Sequence, residues 1–117
     1  MASAVAIGGV FFRSKDPVAL AAWYSAHLGI NTGGAPWQTQ AGPVVFAPFN
    51  ADSDYFPADR QWMVNFRVDD LTALITALQS ADIAVETRAE WDGEWGRFAR
   101  IDDPEDNPVE LWQAPNA

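Results

Sequence analysis

The sequence predicts an α+β fold built from two tandem β-α-β-β-β modules. Three observations carry that prediction: an internal repeat, two capped helices, and short strand-like runs broken by turn residues. Val10-Phe11-Phe12-Arg13-Ser14-Lys15-Asp16 lies over Val64-Asn65-Phe66-Arg67-Val68-Asp69-Asp70, so Val, Phe, Arg and Asp recur at one spacing. Ala19-Leu20 and Ala73-Leu74 extend the match. Pro43-Val44-Val45-Phe46 echoes Pro108-Val109-Glu110-Leu111 at a different offset, which places a loop of altered length between the echoes. Module one spans about 5–50 and module two about 62–115. The polar stretch 51–61, with Pro57, joins them in a single domain.

Each module opens with a strand. Val10 and Phe12 share one face, as do Val64, Phe66 and Val68, the alternation of a sheet packed on helices on one side. Helices follow. Asp16 is a good N-cap with Pro17 at the first helical position, Gly29 suits the stop, and Leu20, Ala21, Tyr24 and Leu28 form the stripe. Asp70 caps the second helix, whose stripe is Leu71, Leu74, Ile75 and Leu78. Short strands then alternate with turns at Gly33-Gly34, Gly42-Pro43, Asp92-Gly93 and Asp103–Asn107, which sets the helices on one face of the sheets.

Composition narrows the function. Seven basic against 16 acidic residues give a net charge of −9, so neither nucleic acid nor an anionic membrane surface is an expected partner. No cysteine is present, which removes disulfides, thiolate zinc sites and a cysteine nucleophile. Met1–Gly9 has no basic run and no apolar stretch approaches a membrane span, so a soluble cytoplasmic protein is expected. Six tryptophans in 117 residues point to a lined cavity or an interface, because indole is costly to expose.

The stretch Gly96-Arg97-Phe98-Ala99-Arg100-Ile101-Asp102-Asp103-Pro104-Glu105-Asp106-Asn107-Pro108-Val109-Glu110-Leu111-Trp112 resembles the closing hairpin of the vicinal oxygen chelate superfamily. That superfamily includes glyoxalase I, extradiol dioxygenases, and fosfomycin- and bleomycin-resistance proteins. Asp106 stands where the family prefers Gly, and Val10–Tyr24, with Trp23-Tyr24, fits the family's first strand and helix. The resemblance implies curved mixed sheets forming a cup-shaped cavity, helices on the outer face, and a homodimer. It also implies four metal-ligand positions, which fall here on Gly9, Val45, Met63 and Glu110. Glycine and valine have no donor, a thioether suits hard divalent ions poorly, and one carboxylate cannot hold a catalytic cation tightly. No metal or other cofactor is therefore expected, a divalent metal being the alternative.

With Glu110 on the cavity face, alternation adds Trp112, and pairing across the Asp103–Asn107 turn sets Arg100 opposite Glu110 and Phe98 opposite Trp112. The opening strands contribute Phe11, Arg13, Met63, Asn65 and Arg67. Aromatic walls with a few polar groups suit a small-molecule ligand. Arg13 and Arg100 could clamp an anion. Glu110 with Arg100 reads either as a structural ion pair or as a ligand contact, and Arg13 and Arg67 read first as partners of Asp16 and Asp70. Asn65, mid-strand among apolar neighbours, reads as a buried amide needing a partner. His27 reads as an exposed helix-end residue. The acids of Asp52–Phe56 lack the glycine and closing Glu of a calcium loop, so Tyr55 and Phe56 are expected to pack over the pocket mouth. Trp37, Trp91 and Trp95 flank turns as lid or dimer surface. The function expected is metal-independent binding of a small aromatic or amphipathic molecule. The alternatives are a lyase, isomerase or dioxygenase-type enzyme with Glu110 as catalytic base or in a non-standard metal site, and a non-catalytic dimeric interaction module.

Overall fold

The computed structural model describes residues 2–115. Its elements are α1 (Pro17–Leu28), β1 (Val64–Arg67), α2 (Leu71–Ser80), a 3-10 turn (Ala89–Trp91), β2 (Arg97–Asp102) and β3 (Pro108–Gln113). The α+β class is as expected, with both helices where the caps put them. Asp16 accepts from Ala19 N at 3.1 Å and Asp70 from Ala73 N at 3.0 Å, each filling one donor left open at a helix start. Gly29 closes α1 at φ 67°, a left-handed geometry that glycine adopts without Cβ strain.

The sheet has three strands in the order β1-β3-β2, with β1 parallel and β2 antiparallel to the central β3. Val109 and Leu111 of β3, with Ala99 and Ile101 of β2, are almost fully buried against Leu20 and Tyr24 of α1 and Leu71 and Leu78 of α2. Burying each of the larger aliphatic side chains contributes about 1.5–3 kcal/mol, so this layer holds the sheet to its helices. Phe12 and Phe66 both pack on the Tyr24 ring, at 6.3 and 6.2 Å between centroids.

Two expectations are corrected. Among the described residues module one forms its helix but none of its strands. Residues 2–13 and 34–49 carry neither helix nor strand, and they make no backbone–backbone hydrogen bonds among the described residues. The physical reason is the lack of a neighbour: a strand is defined by its ladder, and these segments meet no strand within the chain. Val5 and Phe11 are each 95% exposed. Among the described residues the three strands expected after α2 reduce to β2, β3 and two isolated bridges, Glu86 to Arg100 and Gly93 to Gly96. Among the described residues the sheet is open. Among the described residues no helix is long and apolar enough to cross a membrane.

Candidate functional site

The face of the sheet turned away from the helices carries the polar residues. The register places Asn65, Glu110 and Arg100 in one row across β1, β3 and β2, and Arg67, Trp112 and Phe98 in the next. Cross-strand partners project to the same side, so six side chains from three strands share one surface. This arrangement follows directly from period-two alternation: the intervening residues Phe66, Leu111 and Ala99 belong to the helix-packed face.

Glu110 is the centre of the first row and is 9% exposed. Its Oε1 accepts from Asn65 Nδ2 at 2.8 Å, and its Oε2 accepts from the Tyr55 hydroxyl. A buried carboxylate needs such donors. Tyr55 comes from the segment Asn50–Arg60, which crosses this face as a strap. Arg60 ties one end of the strap down, donating to Asn107 Oδ1 at 3.2 Å and to the Glu105 carbonyl at 3.1 Å. Arg100 Nη2 donates to the Tyr55 carbonyl at 2.9 Å, while its guanidinium lies 4.9 Å from the Tyr55 ring centroid and 5.8 Å from that of Trp91. Arg100 Nε is buried and has no partner among the described residues. Tyr55 is pushed up to about 12, first by burial and then by its bond to Glu110, so its hydroxyl stays a proton donor through neutral pH.

The second row is aromatic. Phe98 and Trp112 stack with rings 3° from parallel and centroids 5.9 Å apart, and Trp112 Nε1 donates to the Trp95 carbonyl at 2.6 Å. Arg67 reaches over the edge of β1 to the carbonyls of Gln40 at 2.7 Å and Ala41 at 3.3 Å, rather than to Asp70. Outside these rows the hairpin turn is fixed by Asp103. Its Oδ1 accepts from the backbone of Glu105 and Asn107, and its Oδ2 from Asn107 Nδ2 and the buried Tyr24 hydroxyl.

Six of the residues expected on the cavity face thus share one surface: Asn65, Arg67, Phe98, Arg100, Glu110 and Trp112. Met63 immediately precedes β1 and is half-buried. Phe11 and Arg13 do not join them, because their segment is unpaired and Phe11 points to solvent. The Arg100–Glu110 ion pair does not form although the two residues are in register. Tyr55 stands between them in the bonding pattern, taking the carboxylate with its hydroxyl and the guanidinium with its carbonyl. Asn65 is satisfied, as a mid-strand amide must be, but it is exposed on β1, an edge strand of the sheet. His27 is half-buried against Trp23, with ring centroids 5.2 Å apart.

Of the expected pair Tyr55 and Phe56, Tyr55 lies on Glu110 and Arg100, and Phe49 packs on both rings at 5.5 and 5.6 Å. The direct bond from Tyr55 to Glu110 and the placing of Trp91 beside Arg100 were not legible beforehand. The only signal was an aromatic pair inside an acidic linker. The four positions implied as metal ligands do not fit a divalent cation. Val45 is 71% exposed on an unpaired segment, Gly9 has no side chain, and both Glu110 oxygens already accept hydrogen bonds. Among the described residues no cluster of three or more His, Asp or Glu side chains has metal-binding geometry.

No family model matches the chain, and no curated protein matches it. Two solved structures are similar to it. One is TnmS3, an antibiotic binding protein from Streptomyces sp. CB03234, at 26% identity and a TM-score of 0.48, over 86% of this chain and 88% of that one. Another is a glyoxalase/bleomycin resistance protein from the same Streptomyces strain, at 26% identity and a TM-score of 0.49, over 85% of this chain and 92% of that one.

Proposed function

We propose that the protein binds a small aromatic or amphipathic molecule on the helix-free face of its sheet, without a metal. One observation carries the reading. A buried carboxylate, an amide and a guanidinium are held in one row across three strands, with Tyr55, Trp91, Phe98 and Trp112 around them. Apolar rings supply contact area and the polar row supplies orientation, which is the composition of a small-molecule site. Glu110 serves as hydrogen-bond acceptor and Arg100 as donor. The donor set around Glu110 supports metal independence, since its two oxygens are engaged by protein groups.

A second copy of the chain completes the fold in this reading. Val5, Phe11, Val44, Val45 and Phe46 are each more than 60% exposed on segments with unpaired backbone, a combination costly in water and suited to strand pairing across a homodimer. Modules of about 5–50 and 62–115, joined by 51–61, are the exchanging units. Elemental analysis with thermal shifts on adding Ni²⁺, Zn²⁺, Mn²⁺ or Fe²⁺, run beside size-exclusion light scattering, tests both parts. The reading expects a dimer with no stoichiometric metal and no shift. Near-stoichiometric metal with a raised melting temperature would overturn the first part, and a monomer would overturn the second.

A further inference from the structure

The strap seats a phenol in the polar row. Tyr55 donates its hydroxyl to Glu110, its ring lies against the Arg100 guanidinium, and Phe49 and Trp91 flank it. Asn65 holds the other carboxylate oxygen, so Glu110 is oriented to accept a single hydroxyl donor at Oε2. The strap itself is lightly attached in its middle. Its turns are Asn50–Ser53 and Pro57–Arg60, and between them the main chain is held by Arg100 on the Tyr55 carbonyl and by the local Ser53 Oγ contact. No strand ladder pins it. Nor does Tyr55 saturate the site, because Arg100 Nε stays buried with no partner among the described residues.

We propose that Tyr55 is an internal stand-in for the ligand, and that the ligand is a hydroxylated aromatic whose phenolic hydroxyl replaces that of Tyr55 on Glu110. This rests on the binding reading above and names its ligand class. The strap is displaced as the ligand enters, so the apparent affinity of the intact protein is reduced by competition from its own tyrosine.

The test uses the full chain with 2-naphthol and 2-methoxynaphthalene as probes, followed by calorimetry. In Tyr55→Ala, 2-naphthol should bind about tenfold or more tighter than in the unaltered protein. It should also bind about tenfold or more tighter than 2-methoxynaphthalene, as one charge-assisted hydrogen bond requires. Adding Glu110→Gln should cut that preference severalfold. Equal binding of the two probes to Tyr55→Ala would overturn the phenolic class while leaving aromatic binding intact. Binding of neither would overturn both. If Tyr55→Ala does not fold, amide exchange in the unaltered protein decides. 2-Naphthol, and not its methyl ether, should speed exchange across Asp54–Arg60, and no change with either would overturn the proposal.

Discussion

Tyr55→Phe removes one oxygen from the site and leaves the ring in place. The bond lost runs from a hydroxyl to a carboxylate that is 9% exposed, so it is charge-assisted and poorly replaced by water. Such bonds contribute about 1.5–3 kcal/mol, and about 2 kcal/mol is expected here because Asn65 still holds the other oxygen. Unfolding entropy of about 2.1 cal/mol/K per residue over 117 residues makes about 0.25 kcal/mol/K, so the melting temperature should fall by about 8 °C. The assay is a double-mutant cycle with Glu110→Gln, followed by thermal and urea unfolding at one fixed protein concentration. Gln keeps both positions able to bond, through its carbonyl to Asn65 and its amide to the Tyr55 oxygen, but without charge. A coupling of about 1–2 kcal/mol is therefore expected. A coupling near zero would refute the claim that Tyr55 and Glu110 act on each other.

Three further outcomes follow from the hairpin and its neighbours. Asp103→Asn should cost about 3 kcal/mol in urea unfolding, because an amide nitrogen would face hydrogen-bond donors that now meet a carboxylate oxygen at a site 3% exposed. Asp106→Gly should raise stability by about 0.5 kcal/mol, since Asp106 sits at φ 63° where glycine carries no Cβ strain. Glu105 is held below the ordinary Glu value of 4.5 by the Ser14 hydroxyl first and then by the Lys15 backbone N–H. A lowered folded value means its tether on the start of α1 is at full strength above 4.5 and is lost as pH falls through the folded value. Glu105→Gln should therefore differ from the unaltered protein at neutral pH and converge with it in acid.

What the sequence showed of this fold was whatever depends on near neighbours. Asp16, Pro17 and Gly29 bracket α1 because capping is decided within one turn, and the pairing of Arg100 with Glu110 follows from counting across a five-residue turn. The helix-packed face was legible for the same reason, since alternation alone separates Val109 and Leu111 from Glu110 and Trp112. Module one was not. Its residues carry the strand pattern, and pattern alone cannot say whether a partner strand exists within the chain. The strap escaped too: Tyr55 meets Glu110 across 55 positions, a contact set by how the linker crosses the sheet rather than by any local signal. Tyr24 with Asp103, 79 positions apart, is the same case in the core. Arg67 shows the converse error, because the nearby Asp70 is engaged as a helix cap and leaves the guanidinium to the carbonyls of Gln40 and Ala41.

The central claim is that the face carrying Asn65, Arg100, Glu110 and Trp112 binds an aromatic molecule without metal. Its most direct measurement is an amide and indole NMR titration of chelator-treated, ¹⁵N-labelled protein with soluble aromatic probes. The account predicts saturable shifts at the Asn65 side-chain amide, the Trp91 and Trp112 indoles and the backbone of the strap. Shifts confined to the groove of about 450 Å³ lined by Thr72, Thr76, Gln79 and Thr87, with none at Asn65, Trp91 or Trp112, would contradict it. So would binding that appears only when a divalent metal is returned.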